Sequence, residues 1–298
     1  MTKKNILITG ATGFIGKNLV EKLKDKYNII HPSHKVVDLL NKNNVDSLFK
    51  TNKIDVVIHC ASQKSHKAYS PYVGQVFRNN MQMFYNIIDN KSKFEKMIHL
   101  SSGAVYDSSK PVMSVKETSI GKNVPDDEYG YSKYIMEKYI EGKDNDKVIS
   151  LRVFGVYGKH EDYSIRFISK AICRLLLSQP VAINKERFMD FVYVNDLVDI
   201  IDKMINLKKL KYKSYNITNG DPVSLSEIID DNIPVDGSYY FIKGGLDNEY
   251  TGNNKRLMEQ LPKFKFTDMK DAIMDLTKWY SKQLELERLD AKRILEHY

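Results

Sequence analysis

The stretch NILITGATGFIG, residues 5–16, decides the fold. Its first five residues are short, apolar and rich in β-branched side chains, which predicts a strand. Glycines follow at 10, 13 and 16, and from Phe14 to about Lys26 the apolar residues take helical spacing. A strand that turns through glycines into a helix brings bare backbone to one point. The same turn exposes free N–H groups at the positive end of the helix dipole. A pyrophosphate needs both, so Gly10, Gly13, Phe14, Ile15 and Gly16 are candidate contacts to a dinucleotide. Glycines alone are a weak sign. Their place after the first strand of an alternating chain makes them a strong one.

The alternation continues outward from that point. Tyr27–His31, IDVVIHCA (54–61), KMIHLSS (96–102) and VISLRVFGVYG (148–158) read as strands, with helices over 45–51, 72–89 and 129–141 between them. Strand and helix in repetition predict an α/β fold, a Rossmann-type doubly wound parallel sheet covered on both faces. After Gly158 the pattern loosens. A helix near 164–178 precedes RFMDFVYVNDLVDIIDKMI (187–205), a strand running into a helix, and KSYNITNG (213–220) reads as one more strand. The remainder reads as short helices and turns, with a charged terminal helix from Leu284. Residues 1–158, rejoined by 189–217, are therefore expected to form the dinucleotide domain. A smaller mixed α/β lobe is expected from 159–188 and 218–298.

Composition narrows the functional class. The chain has 298 residues, 42% hydrophobic and 28% charged, ordinary values for a soluble globular protein. No run approaches the ~18 apolar residues of a membrane helix, and Gly and Thr interrupt the apolar stretch after the basic start. A cytoplasmic protein with no membrane partner is expected. Two cysteines, Cys60 and Cys173, lie in apolar stretches and read as buried thiols, with neither a disulfide framework nor a metal site. The net charge of +8 comes from lysines spread along the chain. That pattern reads as a solvated surface without a nucleic-acid signature, and it suits a small phosphorylated ligand.

Tyr129-Gly-Tyr-Ser-Lys133 is the second signal. Tyr129 and Lys133 are four apart, so on a helix they share one face, whereas Tyr131 falls out of register. A phenol with a pKa near ~10 is a poor acid–base group at neutral pH, and a lysine cation close by lowers that value.

Taken in order, GxxGxxG, HCASQK (59–64), SSGAVY (101–106), YGYSK (129–133), RVFGVYG (152–158) and DFVYVNDL (190–197) resemble the extended short-chain dehydrogenase/reductases. These are nucleotide-sugar epimerases, dehydratases and reductases, and the resemblance runs to about Tyr280. It implies a dinucleotide cofactor on the first domain, a nucleotide diphosphate sugar on the smaller lobe, and a homodimer formed through helices. It also implies roles. Ser102, four residues before Tyr106, stands at the catalytic Ser/Thr, Tyr129 at the acid/base, and Lys133 at the group that binds the nicotinamide ribose and tunes the tyrosine. Asp38 and Leu39 match the pair that contacts adenine. Ala61, Ser62 and Lys64 match strand-end cofactor contacts, and Asn80 an asparagine at the start of the following helix.

Departures from the family pattern carry information about the reaction. Gly103 and Ala104 stand where the 4,6-dehydratases place acids, and Ala104 stands where epimerase–reductases place a cysteine. The later histidine's region holds Ser164–Phe167, and His160 nearby reads as a solvated loop residue. Dehydration and 3,5-epimerisation are therefore disfavoured. Two reactions remain: reduction of a 4-keto group, or 4-epimerisation with tightly held NAD. A silent NADP-binding sensor is a third reading, opposed by the intact Ser–Tyr–Lys set. After YNII the chain has His31-Pro-Ser-His34-Lys35 with no acid to hold a ribose 2′-hydroxyl, so His34 and Lys35 are candidates for a 2′-phosphate. NADPH and a reductase are favoured, with NADH or NAD as the other option. Gly155 and Met189 replace an Asn and an Arg that often hold the sugar nucleotide. Ser102, Gly103, Tyr129, Arg166 and Arg187 are the remaining substrate candidates.

Overall fold

A six-stranded parallel sheet runs through the middle of the molecule. The computed structural model describes residues 3–63, 74–142 and 146–295. Strand β1 (Asn5–Thr9) passes through the glycine turn into helix α1 (Phe14–Leu23), and β2 (Asn28–Ile30), α2 (Lys42–Thr51), β3 (Val56–His59) and α3 (Val76–Ile88) follow. Then come β4 (Lys96–Ser102), a short β5 (Val112–Val115), α4 (Glu128–Glu141) and β6 (Val148–Val153). The sheet order is Ser214–Ile217, β6, β4, β3, β1, β2, with every neighbouring pair parallel. Every residue of β3 and β6 is buried, as expected for strands covered on both faces.

Each face has its own core. On one, Leu19 and Leu23 of α1 meet Leu197 and Ile201 of α6 (Val194–Asn206) over Ile6, Ile8 and Ile58. On the other, Val45, Phe84, Ile87, Met136 and Ile140 of α2, α3 and α4 cover Leu7, Val57 and Met97. A third cluster lies away from the sheet, where α5 (Phe167–Leu176) packs through Ile168 and Ile172 on Ile273 and Leu276 of the helix Met269–Glu285.

Three readings of the sequence change here. The run 148–158 is two strands: β6 ends at Val153, and β7 (Gly155–Tyr157) pairs instead with Phe191–Tyr193. The exchange occurs at Phe154, whose N–H donates to Ile217 O at 3.1 Å, while the Gly155 N–H donates to Asp190 O at 3.1 Å. Second, the C-terminal part includes a 17-residue helix, Met269–Glu285. Asp268 caps it by accepting the N–H groups of Lys270 and Asp271, and Ala272, Ile273, Leu276 and Tyr280 repeat at helical spacing against the third cluster. Third, no helix runs on from Leu284. Glu287 has a left-handed φ of 51°, and among the described residues only Ala291–Leu295 is helical beyond it, with Ile294 buried against α5. Of the two thiols expected to be buried, Cys173 is and Cys60 is partly exposed.

Candidate active site

The winding of the sheet reverses between β1 and β3, and the carboxyl ends of these strands open a crevice there. Thr9 and His59 close its floor, Oγ1 and Nδ1 lying 2.8 Å apart, and Thr9 Oγ1 accepts the Ala61 N–H at 3.3 Å. Gly10 has a φ of 67°, and a Cβ on it would lie 2.7 Å from the Ala61 nitrogen. A Cβ on Gly16 would collide with the Gly10 carbonyl oxygen. These two glycines let strand, turn and helix close on one another. Helix α1 opens at Phe14 with no side-chain cap from Gly13, so its first N–H groups face outward.

Two adjoining cavities line this turn and share Gly10, Gly13, Cys60 and Ser62. The first, about 310 Å³, is also lined by His34, Asp38, Leu39 and Ala61. The second, about 250 Å³, is also lined by Phe14, Ile15, Gly16, Ser102, Tyr129, Lys133 and Arg166. A dinucleotide fits this arrangement. The glycine cradle is one that a Cβ would fill, and the buried Ser101 hydroxyl lining the second cavity has no partner among the described residues.

Lys35 is exposed and lines neither cavity, while the exposed His34 turns Nδ1 to Asp38 Oδ1 at 3.6 Å. Asp38 Oδ1 also accepts the Leu40 N–H at 3.0 Å, fixing the turn that presents Leu39. Asn80 is buried and braces the loop after β3. It accepts the Gln63 N–H at 2.7 Å and donates to Gln63 O at 3.0 Å, so it supports the cavity wall rather than lining it. Lys64 lies outside the described residues.

Ser102 ends β4 and caps a single 3₁₀ turn, Gly103–Tyr106, its Oγ accepting the Ala104 N–H at 3.2 Å. Helix α4 brings Tyr129 to it. Asp127 caps that helix, accepting the N–H groups of Tyr129 and Gly130 at 3.0 and 2.9 Å, so the tyrosine sits in a fixed first turn. One turn on, Lys133 is 2% exposed; its Nζ donates to Leu100 O at 2.8 Å and lies 5.9 Å from the centre of the Tyr129 ring.

Burial holds the Tyr129 phenol above its ordinary pKa, while a hydrogen bond with Ser102 and the charge of Arg166 pull it partly back. The Lys133 charge also reaches His59 and His99 behind it, whose pKa values burial first and this cation second push down.

Arg166 precedes α5, with Nε 3.6 Å from Oε1 of the buried Glu161. Arg187 lines neither cavity. Its guanidinium lies 5.5 Å from the centre of the Tyr250 ring, and its buried Nε has no partner among the described residues. Gly103 is buried, and a Cβ there would collide with the Tyr250 hydroxyl. His160 lies in a turn and is partly exposed, with its Nε2 2.8 Å from the exposed Glu21 Oε1. Gly155 faces Asp190 O, which a Cβ would approach to 2.6 Å, so packing rather than ligand contact explains this glycine. Sequence reasoning missed Tyr250. It lies in a three-residue strand in the loosest part of the pattern, with no motif around it.

Residues 6–218 match the model of the NAD dependent epimerase/dehydratase family. The chain belongs to that family. It is 22% identical to the GDP-L-fucose synthase of Dictyostelium discoideum, covering 96% of this chain and 98% of the relative. It is 30% identical to a putative UDP-glucose 4-epimerase of Methanocaldococcus jannaschii, covering 76% and 80%. Among solved structures, a UDP-glucose 4-epimerase of Thermotoga maritima with UDP-glucose superposes with a TM-score of 0.78 at 21% identity, covering 94% of this chain and 99% of that one. The sheet and helices are thus those of an established enzyme fold. Among the described residues no helix is long and apolar enough to cross a membrane, and no group of His, Cys, Asp and Glu could hold a metal ion.

Proposed function

We propose that this protein reduces the C4 keto group of a nucleotide-linked, deoxygenated sugar at the expense of NADPH, as a step in building surface polysaccharide. The observation that carries the reading is the lining of the second cavity. Among the described residues it presents Ser102, Tyr129 and Lys133, and no carboxylate or imidazole able to take a proton from a ring carbon. Cys60 is there, but burial pushes its thiol up to about 12, so it stays protonated. A phenol held protonated is also the form that reduction consumes.

Bound NADPH would supply the hydride. The glycine turn and the first N–H groups of α1 hold its pyrophosphate, Asp38, Leu39 and Ala61 line its adenosine end, and His34 with Lys35 answers a 2′-phosphate. Lys133 holds the nicotinamide ribose. Ser102 donates to the substrate's C4 oxygen, Tyr129 gives that oxygen its proton as negative charge develops, and the charge of Arg166 favours the phenolate left behind. Residues 159–188 and 218–298, with Arg166 and Arg187, hold the nucleotide diphosphate sugar. A homodimer is supported by the aromatic face of α3 and α4, where the exposed Tyr131 stacks on Phe77 at 5.3 Å.

A second reading, a 4-epimerase with tightly held NAD, is supported by the epimerase relative and needs the same three residues. One experiment separates them. Incubation with NADPH and a panel of nucleotide 4-keto sugars should oxidise the cofactor in proportion to the sugar reduced. Interconversion of 4-hydroxy epimers without net oxidation, with NAD released on denaturation, would establish the epimerase instead. Bound cofactor with no turnover of either kind would leave only a sensor.

A further inference from the structure

Tyr250 reaches the catalytic cluster from the far end of the chain. It opens the strand Tyr250–Gly252, which pairs with β5 at Val112 and with Met189 of the strand Phe188–Met189. The fully buried Asp190 fixes that strand. Its Oδ2 accepts the Gly252 N–H at 2.6 Å, and its own N–H donates to Tyr250 O at 3.1 Å. The ring is clamped between Phe154, 5.0 Å away centre to centre, and the Arg187 guanidinium at 5.5 Å. So held, the hydroxyl falls over Gly103, where a Cβ would collide with it, and it hydrogen-bonds with Ser102.

Ser102 Oγ also accepts the Ala104 N–H at 3.2 Å, so the serine hydroxyl sits between that amide and the phenols of Tyr250 and Tyr129.

We propose that Tyr250 is a positioning residue whose hydroxyl holds the Ser102 hydroxyl in place beside the reacting oxygen. The inference rests on the reading that Ser102 and Tyr129 act on one oxygen, and it holds for reduction and for 4-epimerisation alike. It also gives Gly103 a reason: that position must be bare for the phenol to reach its neighbour.

Tyr250→Phe keeps the clamped ring and deletes the hydroxyl. On whichever substrate the wild type turns over, kcat should fall roughly tenfold, the scale of one hydrogen bond, with KM, thermal midpoint and cofactor affinity nearly unchanged. Added to Ser102→Ala, the change should cost nothing further, because it acts through a hydroxyl already removed. Wild-type kcat, a loss that multiplies with that of Ser102→Ala, or an effect on KM alone would overturn the proposal. If no sugar nucleotide turns over, the functional reading fails on its own, and crystal structures decide the proposal. In Tyr250→Phe the Ser102 hydroxyl should leave the single rotamer it holds in the wild type; an unchanged rotamer would refute it.

Discussion

At the scale of single residues, small side chains define the chemistry as much as reactive ones. Ser102 was legible because its distance to Tyr106 separates it from Ser101, and Tyr129 and Lys133 because one helical turn joins them. Tyr250 was not, since only the folding of a distant strand over Gly103 brings its hydroxyl to the site. Gly103 makes the dependence testable. A Cβ there would collide with the Tyr250 hydroxyl and lie 2.9 Å from Cε1 of Phe154, and forced overpacking of this kind costs typically ~1–3 kcal/mol. Gly103→Ala should therefore bind cofactor with near-normal affinity and lose at least roughly tenfold in kcat, because the shift falls on the phenol and on Ser102. Steady-state rates beside a cofactor titration check this. Wild-type turnover would mean that the collision is relieved without moving Ser102.

At the scale of elements, the helix that carries Tyr129 and Lys133 is also fastened to the sheet by a buried cation of β6. Arg152 of β6 is 0% exposed; it donates Nε to Glu137 Oε2 at 2.7 Å and pairs with Glu141 Oε1 at 2.7 Å, two turns of α4. Its other donors reach the Tyr106 hydroxyl at 2.8 Å and Glu117 O at 2.9 Å, while Ser150 donates to Glu137 from the same strand. Such a network adds little net stability against an apolar replacement, but removing one partner leaves a charge stranded. Arg152→Ala should lower the unfolding free energy by about 3–5 kcal/mol, read from urea denaturation, with Arg152→Met plus Glu137→Leu recovering most of it. A loss under about 1 kcal/mol would show that α4 is held by its apolar contacts alone. In the sequence Arg152 was one residue of an apolar strand and nothing marked its partners. Strands and helices were legible from their periods, whereas the exchange of sheets at Phe154 was not, because hydrogen bonds to Ile217 and Asp190 decide it.

At the scale of the whole molecule, the parallel sheet was legible from alternation, and the pair of imidazoles buried against it was not. His59 and His99 stack 5.4 Å apart on the α3 and α4 side of the sheet, with the edge of Phe84 against His99 and Lys133 nearby. Thr9 partners His59, and neither ring nitrogen of His99 has a partner among the described residues. Burial first, then the Lys133 charge, pushes His59 from 6.5 down to about 3 and His99 well below its ordinary value. Both are depressed in the folded state, so below 6.5 the unfolded chain binds the more protons. The stability they contribute is whole above that pH and is lost as pH falls toward 3. An imidazole kept neutral at pH 5 forgoes about 2 kcal/mol of protonation free energy, and two forgo about 4, against a total stability of about 5–15 kcal/mol. The thermal midpoint should therefore be clearly lower at pH 5 than at pH 7.5. His99→Leu removes one of the two groups together with its two orphaned nitrogens, so the variant should keep its midpoint at pH 7.5 and show about half the acid loss. The same pH dependence in variant and wild type would mean that His99 protonates without unfolding the chain, beside the positive charge of Lys133.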